Sequence, residues 1–198
     1  MSWKIISLDD CANVQVVANR AIPRLAEFGY TALFTQSSTT SGTITITIDG
    51  VAYSCVLSLG STTGYPTYLM VNSNTNEIVI GQTGRNVGGS TQFSYIASMM
   101  LLRGTDTKTG EAGLFPVRTN TPASYFTNCW VSFDSTADQI YLQKALFKKY
   151  TSGDTVFTEN SFVADSIYWG SALYTPGATI AVGNDTFLCI NGWIFAKL

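Results

Sequence analysis

The chain has 198 residues, 45% of them hydrophobic, 13% aromatic and only 12% charged, with a net charge of −2 and no histidine. This composition fits one folded domain and excludes a disordered chain, which combines low hydrophobicity with high charge. Without histidine the chain lacks the commonest proton-transfer group and metal ligand, which disfavours catalytic triads, zinc hydrolases and haem sites together.

The start, Met1 to Ser7, lacks the charged region and apolar core of a signal peptide. Synthesis in a reducing cytoplasm is therefore expected. The first clear element is a helix, because Val14, Val17, Ala18, Ala21, Ile22, Leu25 and Phe28 recur at three- and four-residue steps and form one apolar stripe. Asn13, Arg20, Arg24 and Glu27 fall on its other face. Ser7, Asp9 or Asp10 is expected to cap its start and Gly29 to close its end, while Pro23 predicts a kink or break near Asn19 to Ile22.

Thr43 to Ile48, Asp49-Gly50 and Val51 to Cys55 carry the clearest local signal, a β-hairpin on a two-residue type I′ turn. In that register Ile48 faces Val51, Ile46 faces Tyr53 and Ile44 faces Cys55, leaving a face of threonine and serine for water or a partner. Further strand-like runs follow at Thr67 to Val71, Glu77 to Ile80, Phe93 to Leu102, Leu114 to Val117 and Cys129 to Phe133. Their regular spacing predicts a mainly β fold, antiparallel and sandwich- or barrel-like, with one N-terminal α-helix. Asn72 to Asn76 reads as a tight connector, and 81–90 and 104–113 read as exposed contact loops.

Residues 138–150 fit neither period cleanly and are read as a strand. The C-terminal part predicts a small meander, Ala178 to Val182, a turn at Gly183-Asn184-Asp185, Thr186 to Ile190, a second turn at Asn191-Gly192, and Trp193 to Phe195. Its last run ends close to Leu198, so the terminus is expected to be tied into the sheet. The whole of 1–198 reads as a single domain, with a subdivision near 120–135 as the alternative. The longest apolar stretch, Tyr95 to Leu102, is far below the roughly 20 residues that cross a bilayer, and no membrane insertion is expected.

The cysteines Cys11, Cys55, Cys129 and Cys189 are far apart and sit among apolar neighbours, which fits buried free thiols, with a disulfide as the alternative. No metal site or cofactor is expected. The basic residues are dispersed, with only Lys148 and Lys149 adjacent, so nucleic acid is not the expected partner. The glycine-rich Gly81 to Gly89 lacks the Gly-Lys-Ser/Thr ending of a phosphate-binding loop. Asp134 with Asp138, and Asp154 with Glu159, are the local carboxylate pairs that glycoside hydrolysis would need, but both lie in turn-like sequence.

Among the aromatic residues, Trp130 and Trp193 alternate with apolar neighbours as core residues do. Tyr168-Trp169-Gly170 and Tyr174 stand in a region that reads as turn-rich and exposed. Tyr168, Trp169 and Tyr174, with Arg85 and Asn86 of the glycine-rich loop, are therefore the candidate partner or glycan contacts. Serine-rich stretches offer nucleophiles but no recognisable activator.

Taken whole, the chain resembles the small β-rich virion proteins of tailed bacteriophages, those of the neck, tail, baseplate or capsid surface. The resemblance rests on the short N-terminal helix, the Thr-Ile hairpin, the segments 81–90 and 104–113, and the ending from Thr175-Pro176-Gly177 through Gly183-Asn184-Asp185-Thr186-Phe187 to Trp193. It implies a non-enzymatic subunit that forms a homo-oligomer and meets other virion proteins, without a small-molecule substrate, and it transfers no specific binding residues. Independently, low charge and high aromatic content suit extensive protein contact. A glycan-binding surface module is the alternative, and a carboxylate-dependent glycosidase the third reading.

Overall fold

The structure, a computed structural model, describes residues 3–59, 64–82, 86–87, 90–91, 98–118, 142–149, 162–174 and 178–198. The chain opens with β1 (Lys4–Cys11) and α1 (Val14–Ala26), followed by β2 (Thr31–Gln36), β3 (Ser41–Ile48) and β4 (Val51–Ser58). Next come β5 (Tyr65–Asn72), β6 (Glu77–Gln82), the short β7 (Asn86–Val87) and β8 (Ser90–Thr91), β9 (Met99–Asp106) and β10 (Ala112–Arg118). The remaining strands are β11 (Leu142–Lys149), β12 (Phe162–Tyr174), β13 (Thr179–Val182) and β14 (Asp185–Lys197). Mainly antiparallel β with one N-terminal helix is the architecture, as the strand spacing predicts. Among the described residues no helix is long and apolar enough to cross a membrane.

Among the described residues nine strands form one curled sheet in the order β1-β5-β6-β9-β10-β11-β12-β14-β13, while β2-β3-β4 form a separate small sheet. The curl is produced at β9, which is shared by two neighbours along one edge. Its first half pairs with β6, from Ile80↔Met99 to Ile78↔Leu101, and its end pairs with β12, from Ala164↔Gly104 to Phe162↔Asp106. With β10 and β11 completing the circuit, β9-β10-β11-β12 close on themselves. Gly104 permits this closure, because a Cβ there would run into the Val163 carbonyl and the Phe162 ring.

The large sheet is covered on both faces. Leu69, Val71, Ile78, Ile80, Met99 and Leu101 point into a core shared with α1 and the small sheet, whereas Met70, Val79, Met100 and Leu102 enter a second core with Phe115, Phe147, Phe162 and Trp169. Every residue of β6 is buried in consequence, which is why its sequence reads as a continuous apolar run rather than an alternating one.

The helix keeps its predicted stripe, with Val14, Val17, Ala18, Ala21 and Leu25 buried. Its start differs from the expectation. Ser7, Asp9 and Asp10 belong to β1, where the pairing with β5 shifts between Ser7 and Asp10 and Asp9 takes a φ of 55°. The cap is Asn13, whose side chain accepts a hydrogen bond from the Val16 N–H at 2.9 Å. Arg20, placed on the polar face by the helical period, reaches back to donate to the Leu8 carbonyl at 2.6 Å and tie helix to strand. The helix runs through Pro23 without a break, since Pro23 sits on the exposed side while Ala21 and Leu25 anchor the buried one. Gly29 closes the end with φ of 83°, as expected.

Three other boundaries are corrected. The expected loop 104–113 is only half loop: 104–106 end β9, 112–113 begin β10, and Thr107 to Glu111 connect them, with the Asp106 carboxylate accepting from the Lys108 N–H at 2.8 Å. Asn191-Gly192 makes no turn and lies inside β14. The stretch read as turn-rich around Tyr168-Trp169-Gly170 is the middle of the thirteen-residue β12. There Gly170 serves close packing, because the Phe195 ring occupies the space a Cβ would take. The strand expected within 138–150 is present as β11, and Leu198 donates its N–H to the Thr186 carbonyl at 2.9 Å, which ties this end to the sheet. Of the expected loop 81–90, Gly81 and Gln82 end β6 and Asn86–Val87 pairs with Ser90–Thr91.

Candidate assembly surface

The β3–β4 hairpin has the predicted register, Ile48↔Val51, Ile46↔Tyr53 and Ile44↔Cys55. Asp49 and Gly50 take φ of 50° and 79°, the pair of positive values that defines a type I′ turn. Ile44, Ile46, Ile48, Cys55 and Leu57 are buried beneath the sheet, while Val51, beside the turn, is 52% exposed.

On the opposite face, pairing with β2 sets three cross-strand rows: Thr31–Thr47–Ala52, Leu33–Thr45–Ser54 and Thr35–Thr43–Val56. No charged side chain stands in any row. Thr45 and Ser54 link two strands through their hydroxyls at 3.2 Å, and Leu33, at 71% exposure, is the most exposed large apolar residue described. Such a face is solvated by alcohol groups alone, and a partner docking on it would strip no formal charge of its water.

Beside this face runs a bare strand edge. Among the described residues β2 pairs with β3 and with no other strand, whereas on the other side of the small sheet β4 packs close to β9 and β10. Its sequence, Thr31-Ala32-Leu33-Phe34-Thr35-Gln36, contains neither charge nor proline, and its pairing with β3 runs without a bulge. Both edges of the large sheet carry guards. β1 has Lys4, Asp9, Asp10 and a register shift, and β13 is only four residues long. The hydroxyl face follows from the alternation of β3 and β4, whereas β2 is not among the strands expected from the sequence. The signal was there, a run of β-formers closed by the serine- and threonine-rich 37–40.

The residues named from sequence as contacts are not brought together by what is described. Trp169 is 7% exposed and packs on Phe147 at 5.5 Å between ring centroids, so its indole belongs to the second core and not to an exposed platform. Tyr168, on the other side of β12, is half-buried against Phe187, with the Lys144 ammonium 5.5 Å from its ring centroid. Tyr174 and Asn86 lie in strands. Arg85, and the carboxylates Asp134, Asp138, Asp154 and Glu159, lie outside the described residues, as do Cys129 and Trp130. Cys11, Cys55 and Cys189 are buried and form no disulfide, and burial pushes the Cys55 thiol up to about 12, which removes its nucleophilic form at neutral pH.

A buried polar cluster centres on Glu77. Glu77 fills the gap on β9 between the end of the β6 pairing and the start of the β12 pairing. Its Oε1 accepts the Arg103 backbone N–H at 3.1 Å, and its Oε2 accepts from Thr75 Oγ1 at 2.7 Å and Ser166 Oγ at 2.5 Å. Burial drives its carboxyl above the usual range, with the Asp165 charge adding to the rise, against these three hydrogen bonds, which favour the ionised form. With the carboxylate fully buried, the cluster can hold strands together but cannot reach a substrate. A small apolar cavity of about 70 Å³ lies between β1, β5, β6 and β14, among Ile5, Tyr68, Met70 and Leu188, well short of the roughly 300 Å³ at which ligand pockets begin. No group of three potential metal ligands occurs among the described residues.

Comparison with protein-family models, with curated proteins and with solved structures finds no match to this chain.

Proposed function

We propose that this chain is a non-enzymatic structural subunit of a tailed-bacteriophage virion, at the neck, tail, baseplate or capsid surface. It is made in the host cytoplasm and works in the particle, fitting against neighbouring copies and other virion proteins. The observation that carries this reading is the unguarded edge of β2 beside an uncharged, hydroxyl-rich sheet face. A soluble monomer has reason to blunt such an edge, whereas a subunit uses it to recruit a neighbour through backbone pairing. The low charge and the resemblance to β-rich virion proteins support the same reading.

Imaging of particles that carry this chain tests the proposal. Copies related by symmetry on the particle surface are expected. Glycan-array binding by the purified protein would favour surface recognition instead, and turnover of polysaccharide, lost in Asp134→Asn or Asp154→Asn, would favour the glycosidase.

A further inference from the structure

The direction of the free hydrogen-bonding groups on β2 follows from the hairpin beside it. A two-residue turn makes Ile48–Val51 a hydrogen-bonded pair, and such pairs alternate with non-bonded ones along an antiparallel ladder. Thr47, Thr45 and Thr43 therefore turn their backbone groups away from β4 and toward Thr31, Leu33 and Thr35. One observed bond checks this parity, since Ser37, next in the odd series, donates its N–H to the Ser41 carbonyl at 3.0 Å. The backbone groups of Ala32, Phe34 and Gln36 consequently point out of the sheet.

We propose that the occupant of this edge is a second copy of the same chain, whose β2 pairs antiparallel with this one about a two-fold axis through Leu33. The proposal rests on the assembly reading above and names its partner. In this register Ala32 and Phe34 of each copy exchange hydrogen bonds with Phe34 and Ala32 of the other. Leu33 then meets its symmetry mate as a non-bonded pair, the closer of the two spacings in an antiparallel ladder. Parity is preserved, so Thr31 lies opposite Thr35 of the second copy on the same outer face, and two three-stranded sheets merge into one of six.

Three observations favour a second copy over an unrelated partner. An edge without charge is complementary to itself, whereas a charged edge would repel its own copy. Its outward donors and acceptors come in the pattern that a two-fold axis repeats. Pairing also buries Leu33, which the monomer leaves 71% exposed. A six-residue edge covers less than the ~1,600 Å² of a standard interface, so the dimer is concentration-dependent.

The test uses sedimentation equilibrium of the intact chain and its variants over a concentration series. Wild type is expected to show a monomer–dimer equilibrium. Leu33→Lys, which sets two ammonium groups opposite each other and removes two buried leucines, is expected to weaken it about a hundredfold or more. Ala52→Lys adds the same charge to the same face away from the edge and should leave dimerisation within about threefold of wild type. Both positions are exposed, so unchanged thermal unfolding of dilute monomer shows that the fold is intact. Under mild oxidation Leu33→Cys should give a covalent dimer that wild type does not form. Wild-type dimerisation in Leu33→Lys, or no covalent dimer from Leu33→Cys, would overturn the pairing. Oligomers that persist in Leu33→Lys would do so while leaving assembly through other surfaces standing.

Discussion

A carboxylate placed like Glu77 does the work that a strand would otherwise do. At Arg103 the β6 ladder has ended and the β12 ladder has not begun, and the Glu77 side chain accepts the backbone N–H left between them. Glu77→Ala should cost about 1–3 kcal/mol for that orphaned donor alone, measured by urea unfolding. The pH dependence has a definite sign. Because the folded-state value is raised, the Glu77 contribution to stability is fully present below the ordinary value of 4.5 and is lost as pH rises through the raised one. Glu77→Gln lacks this slope, so its stability relative to wild type should increase with pH across that window. A difference that stays constant from pH 4 upward would show that Glu77 does not titrate there. Such a residue is hard to see in sequence, where it is merely the polar head of the apolar run Ile78 to Ile80.

At the scale of elements, what was legible in the sequence was local. The β3–β4 register follows from one turn and one alternation, and the buried stripe of α1 from one period. The turn itself should be sensitive to its backbone conformation. Gly50 has φ of 79° and nothing near where a Cβ would lie, so Gly50→Ala should cost about 1–2 kcal/mol through backbone strain alone, read as a lowered unfolding midpoint. The elements that escaped were those shaped by distant contacts. β1 was masked by Asp9 and Asp10, which look like a helix cap but mark an irregularity against β5. β12 was masked by Gly170, and β14 was foreseen as two strands because Gly192 looks, like Gly170, like a turn former. Gly170 makes room for Phe195, a ring from a strand that comes later in the chain. The site was legible to the same degree, since the threonine face follows from alternation but the bare edge requires knowing that no described strand lies beyond β2.

For the whole molecule, the small sheet packs by its apolar face onto the core it shares with α1 and the large sheet and turns its threonine face outward. The α1 stripe and Ile44, Ile46 and Ile48 press that sheet onto the large one, which fixes the edge in space rather than leaving it on a hinge. A rigid edge loses little conformational entropy on pairing, which favours contact between copies. The central claim is that this chain acts by assembling. It is tested most directly by native mass measurement of the purified protein from high dilution to its solubility limit. The account predicts discrete multiples of the 21.4 kDa protomer that grow with concentration. A single 21.4 kDa species at every concentration would contradict it.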